Sequence, residues 1–262
     1  MRSCRYACLL ATGVAIFQAC GGDLPKADTT PVSPGLPPDA SLPPRAVEHE
    51  AGASAEAVDA QFIQGPSPTK ISAPVCSRVL ITVAEGKATT AKDVLEVGDT
   101  MIVRYPEPFY VNVEGLALRV IQPFPCAIEE KPGAEVAFRR AKQAPELSWG
   151  PGRAMHAHLD VGRDISPNLY LGRLSGTLGV PEHTHETSIE ILASVKASGT
   201  FTLAGQPQHL GPRQIVTVPK NTVHAWKPDP GSELVAIQMY LPPGPEQRFV
   251  KLDADARDAG DR

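Results

Sequence analysis

The chain reads as an all-β protein made of two antiparallel halves in tandem. Three observations predict this class. Short runs rich in Val, Ile, Leu and Thr recur between Gly and Pro turn signals. Helical periodicity is thin, and 27 prolines argue against a helical bundle, because proline breaks helix interiors. A spacing of glycine, glycine and proline occurs twice, 113 residues apart, at Gly86, Gly98, Pro106 and at Gly199, Gly211, Pro219.

The chain opens on an address. Arg2 and Arg5 form a positive stretch before an apolar run from Ala7 to Phe17, which is too short to span a bilayer as a helix. The run ends in Phe17-Gln18-Ala19-Cys20. This resembles a bacterial lipoprotein signal, although the family prefers Leu at the place of Phe17 and a small residue at that of Gln18. The resemblance implies that residues 1–19 are removed and that Cys20 carries lipid. Membrane contact would then run only through that lipid. The expected location is the cell envelope, on the outer membrane or facing the periplasm. A secretory signal cut elsewhere, or an uncleaved anchor, would export the chain as well. Cys4 and Cys8 would leave with the signal. Cys76 and Cys126 would remain, either bridged in an oxidising compartment or as two buried thiols.

Residues 20–61 are expected to be a disordered tether. They hold Pro25, Pro31, Pro34, Pro37, Pro38, Pro43 and Pro44 with little apolar patterning between them, too little to offset the entropy of ordering. The folded body is then residues 62–250, divided into 62–147 and 148–250. β runs are expected at Val79–Val83, Thr100–Val103, Leu116–Ile121, Asn168–Leu171, Ile189–Val195, Gln214–Val218 and Leu234–Leu241. One short helix is expected over Ala134–Ala144, ended by Pro145. Residues 251–262 alternate in charge and are expected to form a frayed tail.

The repeat fits two hairpin-rich halves. Each second glycine precedes a β run that ends at the proline, and a closing strand follows, with Val120-Ile-Gln122 matched by Ala236-Ile-Gln238. The glycines permit tight turns, and the proline starts a turn after a strand.

Chemistry concentrates in the second half. His183 and His185 are two apart and share one face of a strand. Glu190 reverses that parity, so a turn or bulge must bring it back. His224 follows a further strand and turn. Three imidazoles and a carboxylate suit a divalent transition metal; imidazoles favour Fe, Mn, Ni, Cu or Zn over Mg and Ca without ranking those five.

His183-x-His185-x4-Glu190, then Gly199, then Gly211…Pro219-x-Asn221-x2-His224, resembles the two sequence motifs of the cupin superfamily. The resemblance covers about residues 165–248. It implies cupin-type antiparallel β-barrels (jelly-roll) in tandem, the second holding a metal through His183, His185, Glu190 and His224. The sequence departs from the pattern in turns: Gly179 stands three residues before His183 where five is usual, Gly199 eight after Glu190 where six is usual, and Asn221 replaces a glycine. At the offset of 113, the first half has Lys70, Ser72, Ser77 and Val111 in place of the ligands. It therefore reads as the degenerate, metal-free half of a bicupin that packs against the second half.

His156 and His158, with Asp160 on the same strand face, form a rival cluster, read more plainly as polar residues at the junction of the halves. Tyr170, Arg173, Trp226, Gln238 and Tyr240 are candidates to line the cavity, and none is assigned a catalytic role.

The net charge of −4 carries no basic surplus, so nucleic acid is not an expected partner. The expected partner is a small molecule, and a homodimer is compatible with the sequence. One function class is metal-dependent chemistry on a small polar molecule, of dioxygenase, isomerase or decarboxylase type. The other is a non-catalytic module for a small ligand or carbohydrate, with a structural metal. Fold does not choose between them.

Overall fold

The computed structural model describes residues 58–104, 107–124, 135–158 and 168–260. The signal, Cys20, nearly all of the tether, Pro106, Cys126 and Asp160 lie outside the described residues.

The first half contains β1 (Asp59–Gln64), β2 (Thr69–Ile71), β3 (Ser77–Thr89), β4 (Val94–Glu96), β5 (Thr100–Arg104), β6 (Phe109–Pro123) and β7 (Glu135–Arg139). They join in the order β1-β6-β3-β5-β7, with β2 on β6 and β4 on β3. The second half contains β8 (Glu146–Trp149), β9 (Met155–His158), β10 (Tyr170–Gly176), β11 (Val180–His183), β12 (Ile189–Lys196), β13 (Gly199–Leu203), β14 (Gln206–Leu210), β15 (Ile215–Val218), β16 (His224–Pro228) and β17 (Leu234–Leu241), then the helix α1 (Gln247–Gly260). Its sheets run β15-β12-β17-β10-β9-β8 and β11-β16-β13-β14. The strand pairs among the described residues are antiparallel, as the all-β tandem-barrel reading requires.

The pairing scheme repeats along with the sequence spacing. β1 lies on β6 as β10 lies on β17, β2 on β6 as β11 on β16, and β3 on β5 as β12 on β15. The difference is continuity. β3 and β6 are single long strands, whereas their counterparts are broken into β12 and β13, and into β16 and β17.

Four expectations need correction. Ala134–Ala144 is not a helix: Glu135–Arg139 pairs with Thr100–Arg104, and only a single 3₁₀ turn follows at Ala141–Gln143. The edge of a sheet overrides the weak helix preference of that run. Residues 251–260 are not a frayed tail but most of α1. The tether ends earlier than residue 61, because β1 begins at Asp59 and its Ala60 and Phe62 pack on the core. The boundary between the halves shifts by two residues, since Glu146 already belongs to β8 of the second half.

Three apolar cores follow from period-2 alternation. Val79, Ile81 and Val83 of β3 fill the first half, while Leu80 and Ala84 face the second. Leu192 of β12 and Leu234 and Ala236 of β17 fill the second half, while Ile191, Ala193, Val235, Ile237 and Met239 face the first. The shared layer therefore joins the halves face to face, not by covering an edge or a mouth. Fully burying each large apolar side chain there is worth about 1.5–3 kcal/mol. Cys76 is disulfide-bonded, and its expected partner Cys126 lies outside the described residues.

Candidate metal centre

The second half gathers its four predicted ligands in its interior. His183 ends β11, directly across from His224 at the start of β16. An irregularity in the pairing between Val180 and His183 lets the chain turn there. His185 sits in the following loop, and Glu190 enters on β12 with its side chain turned inward. The parity break between His185 and Glu190 is thus taken up by the loop. One ligand atom from each of the four residues lies within 4.8 Å of the others.

The loop is pinned from behind. The Asn221 N–H donates to the His185 carbonyl at 2.9 Å. Asn221 has φ 56°, in the left-handed region, which explains the departure from glycine noted above. Asparagine is among the few side chains that enter this region readily.

Each group is oriented for ligation. His183 Nδ1 lies 2.8 Å from the Pro181 carbonyl, and His224 Nδ1 lies 2.9 Å from the Thr222 carbonyl. A carbonyl only accepts, so both Nδ1 atoms carry the proton and donate it. The other ring nitrogen, Nε2, is left for the centre, the usual outer support of metal-ligating histidines. His185 Nε2 and His224 Nε2 lie 3.1 and 3.0 Å from the same Glu190 oxygen, Oε2. Gln238 Nε2 donates to the other oxygen, Oε1, at 2.6 Å.

The donor set fits a divalent transition ion. Imidazole nitrogen and carboxylate oxygen bind such ions at ~2.0–2.2 Å, and two ligands at right angles are then about 3 Å apart. That is the spacing between Glu190 and each of the two histidines.

Electrostatics agree. Burial opposes the Glu190 charge, but hydrogen bonds from His185, His224 and Gln238 outweigh it and hold the pKa down to about 2. Burial, together with the neighbouring histidines, lowers His183 to about 4, so this imidazole stays neutral and ligand-ready. Burial opposes the charged form of His224 too, yet the hydrogen bond to Glu190 raises its pKa. Burial, reinforced by the Glu190 charge, keeps Tyr240 a protonated phenol, well above its ordinary value.

The centre opens into a cavity of about 290 Å³. Beyond the four ligands, Gln238, Tyr240 and Arg248, the walls are mostly apolar. Trp226, Gln238 and Tyr240 line it as the sequence suggested. Tyr170 instead backs Tyr240, with ring centroids 5.7 Å apart. Arg173 lies elsewhere, with Nη1 3.4 Å from the Ala84 carbonyl of the first half.

The cover of the cavity was not foreseen. Arg248, Phe249 and Leu252 of α1 line it, and Phe249 stacks on Trp149 at 5.2 Å. Asp253 anchors the helix by accepting from the Ser148 N–H at 3.0 Å. The signal was present in the sequence: Phe249, Leu252, Asp253 and Ala256 recur at helical spacing.

The rival cluster does not gather. His156 Nδ1 is 3.4 Å and His158 Nε2 is 3.8 Å from exposed Glu146, and Asp160 lies outside the described residues. Among the described residues, the one grouping of His, Cys, Asp and Glu compact enough for an ion is His183, His185, Glu190 and His224. No helix among the described residues is long and apolar enough to cross a membrane.

Residues 172–251 match the AraC-like ligand binding domain family. No curated protein matches the sequence. Among solved structures, the chain is similar to a putative glyoxylate-induced protein from Pseudomonas aeruginosa (TM-score 0.48, 9% identity, 63% of this chain and 65% of that one). It is also similar to a variant of oxalate decarboxylase from Bacillus subtilis (TM-score 0.49, 11% identity, 64% of each chain). A third similar structure is a Streptomyces protein solved with uridine (TM-score 0.35, 18% identity, 42% of this chain and 84% of that one). The chain thus spans slightly less than two thirds of the length of the first two. Likenesses this distant do not carry chemistry across.

Proposed function

We propose that the chain is a cupin-superfamily protein and, within that reading, an exported, lipid-anchored bicupin. Its second half would bind one divalent transition metal and use it on a small molecule held in the cavity. The observation that carries this reading is the convergence of His183, His185, Glu190 and His224 at the end of an enclosed, otherwise apolar space. A metal held there would supply Lewis-acid polarisation of a ligand oxygen.

The chain's own groups have separable parts in this reading. Glu190 stays ionised and is fixed by Gln238. The carbonyls of Pro181 and Thr222 set the histidine tautomers. Tyr240 can donate but not accept a proton from its hydroxyl at neutral pH. The apolar walls and α1 keep water out, which strengthens every polar contact inside.

Export and lipidation rest on the N-terminal sequence, and the disulfide at Cys76 supports an oxidising compartment. A second reading, a ligand-binding module without turnover, is favoured by the description of the matching family as a ligand binding domain.

Elemental analysis of protein purified from its native host tests the first reading. One transition metal per chain, lost in His224→Ala, supports it; a wild-type chain that binds none refutes it. Turnover of a panel of keto acids, diols, thiols and sugars separates the two readings. An enzyme consumes at least one class, while the binding module shows ligand-induced thermal shifts and no product.

A further inference from the structure

The contents of the cavity identify the chemistry of its ligand, on the premise that the metal centre above is real. The walls beyond the metal end are carbon: Leu174, Leu178, Val180, Leu192, Phe201 and Leu234 all line the space. A volume of about 290 Å³ sits at the lower edge of ligand pockets, which span roughly 300–1,000 Å³. It offers room for about ten water-sized groups at ~30 Å³ each. Small polar molecules leave such walls unfilled and lose hydration on entry with few partners to replace it.

Three polar features are unspent. Arg248 lines the cavity and also the shallower cleft beside it, which is formed by Thr184–Thr187, Gly244 and Pro245. Arg248 is exposed at this end of the cavity, and His185 lines both spaces with it. Glu186 shares only the cleft, and among the described residues the guanidinium of Arg248 pairs with no carboxylate. The indole N–H of Trp226 is buried without a hydrogen-bond partner. Gln238 Oε1 is likewise buried and unpartnered, its amide nitrogen being committed to Glu190. Buried polar groups without partners are exceptional in folded proteins and call for an explanation.

We infer that the ligand is a hydrophobic monocarboxylic acid of roughly ten non-hydrogen atoms, aromatic or aliphatic. Its carboxylate meets Arg248 on the histidine side and its tail fills the apolar chamber. This replaces the small polar molecule expected from the sequence, and it sets the substrate class of the site proposed above.

The test is calorimetric titration of the full metal-loaded chain with phenylacetate and hexanoate, against neutral phenylacetamide and the polar controls oxalate and glucose. Both hydrophobic acids bind, and phenylacetate binds about tenfold more tightly than phenylacetamide, the weight of one charge-assisted hydrogen bond. Arg248→Gln abolishes that preference, leaving the Kd of phenylacetamide within about twofold. Leu178→Trp, which fills the chamber from its edge, removes binding of both hydrophobic acids while metal content stays at one per chain. The inference is overturned if oxalate or glucose binds and the hydrophobic acids do not, or if Arg248→Gln weakens acid and amide equally. A chain that takes up no metal overturns the proposed function with it. A metal-loaded chain that ignores both acids overturns the ligand class alone.

Discussion

The two halves follow one strand-pairing scheme, yet one surrounds a polar centre and a cavity while the described interior of the other is an apolar core. Three substitutions mark the change. Ser77 stands at the place of Glu190 and Val111 at that of His224, both at the repeat offset of 113. In β3, Val79 pairs across with Ile121; in β12, Leu192 pairs across with Gln238. By strand pairing the glutamine that secures the carboxylate thus corresponds to Ile121 in the first half, and not to Gln122 as the sequence match has it. Val111, Val79 and Ile121 are buried in one apolar core. Continuity differs as well: β3 and β6 run unbroken where the second half divides into β12 and β13 and into β16 and β17. The lesson is that one frame gathers a polar centre only where its interior positions are polar. An apolar interior lets the same frame serve as a partner for packing.

Removing a ligand is the largest way to erase the difference. His224→Ala is expected to reduce bound metal from one per chain to a trace, measured by elemental analysis after gel filtration, and to cancel the rise in melting temperature on adding metal. That rise corresponds to about 4 kcal/mol at a metal concentration a thousand times Kd.

The shared layer should respond equally from either side. Leu80→Ala in the first half and Ile237→Ala in the second are each expected to cost about 2–5 kcal/mol, the usual range for such truncations. Urea unfolding followed by fluorescence and by circular dichroism should show one coincident transition. Two separated transitions would mean that the halves fold independently.

Gln238→Leu copies the first half's apolar residue into the second. It leaves Glu190 Oε1 without its donor, so metal affinity should fall about 10–100-fold, as for other outer-shell partners. The Glu190 pKa should rise toward its ordinary value, observable by NMR of the labelled carboxyl.

The smallest effect is in acid stability of the metal-free chain. Glu190 has a folded pKa of about 2 against an ordinary 4.5, so it contributes stability above 4.5 that is lost as pH falls toward 2. His183, lowered from 6.5 to about 4, is charged first in the unfolded chain and destabilises the fold as pH drops through that window. His224 is raised and works the other way, stabilising below its unfolded value. The His224 contribution is complete below 6.5, so urea midpoints should fall from pH 6.5 downward as His183 destabilises the fold, and go on falling below 4.5 as Glu190 is protonated. Glu190→Gln should flatten the part below 4.5.

The cluster of His183, His185, Glu190 and His224 was legible in the sequence because metal ligation would demand particular side chains at fixed places, and few other demands produce that pattern. The walls were not. Ile191 and Leu192 are both apolar and both buried, yet one faces the neighbouring half and the other the cavity. Alternation carries no information when both faces of a strand are covered. α1 was hidden by Lys251, Asp253, Asp255, Arg257 and Asp258, which mask a narrow stripe of Phe249, Leu252 and Ala256. One place on that stripe belongs to the buried acid Asp253, which holds the helix to β8 through a hydrogen bond. The strand at Glu135–Arg139 was missed because its stability comes from a partner 35 residues away and not from its own composition.

In β12 the site and the interface occupy alternate positions of one short strand. A slip of one residue would carry Glu190 into the apolar layer between the halves and bring Ile191 into the histidine cluster. Either error alone is costly, since it buries an unpaired charge or deletes a ligand, and the pleat forces both together. A misregistered pairing is therefore penalised twice, once by each face. The first half thus constrains the register in which the second half holds its carboxylate.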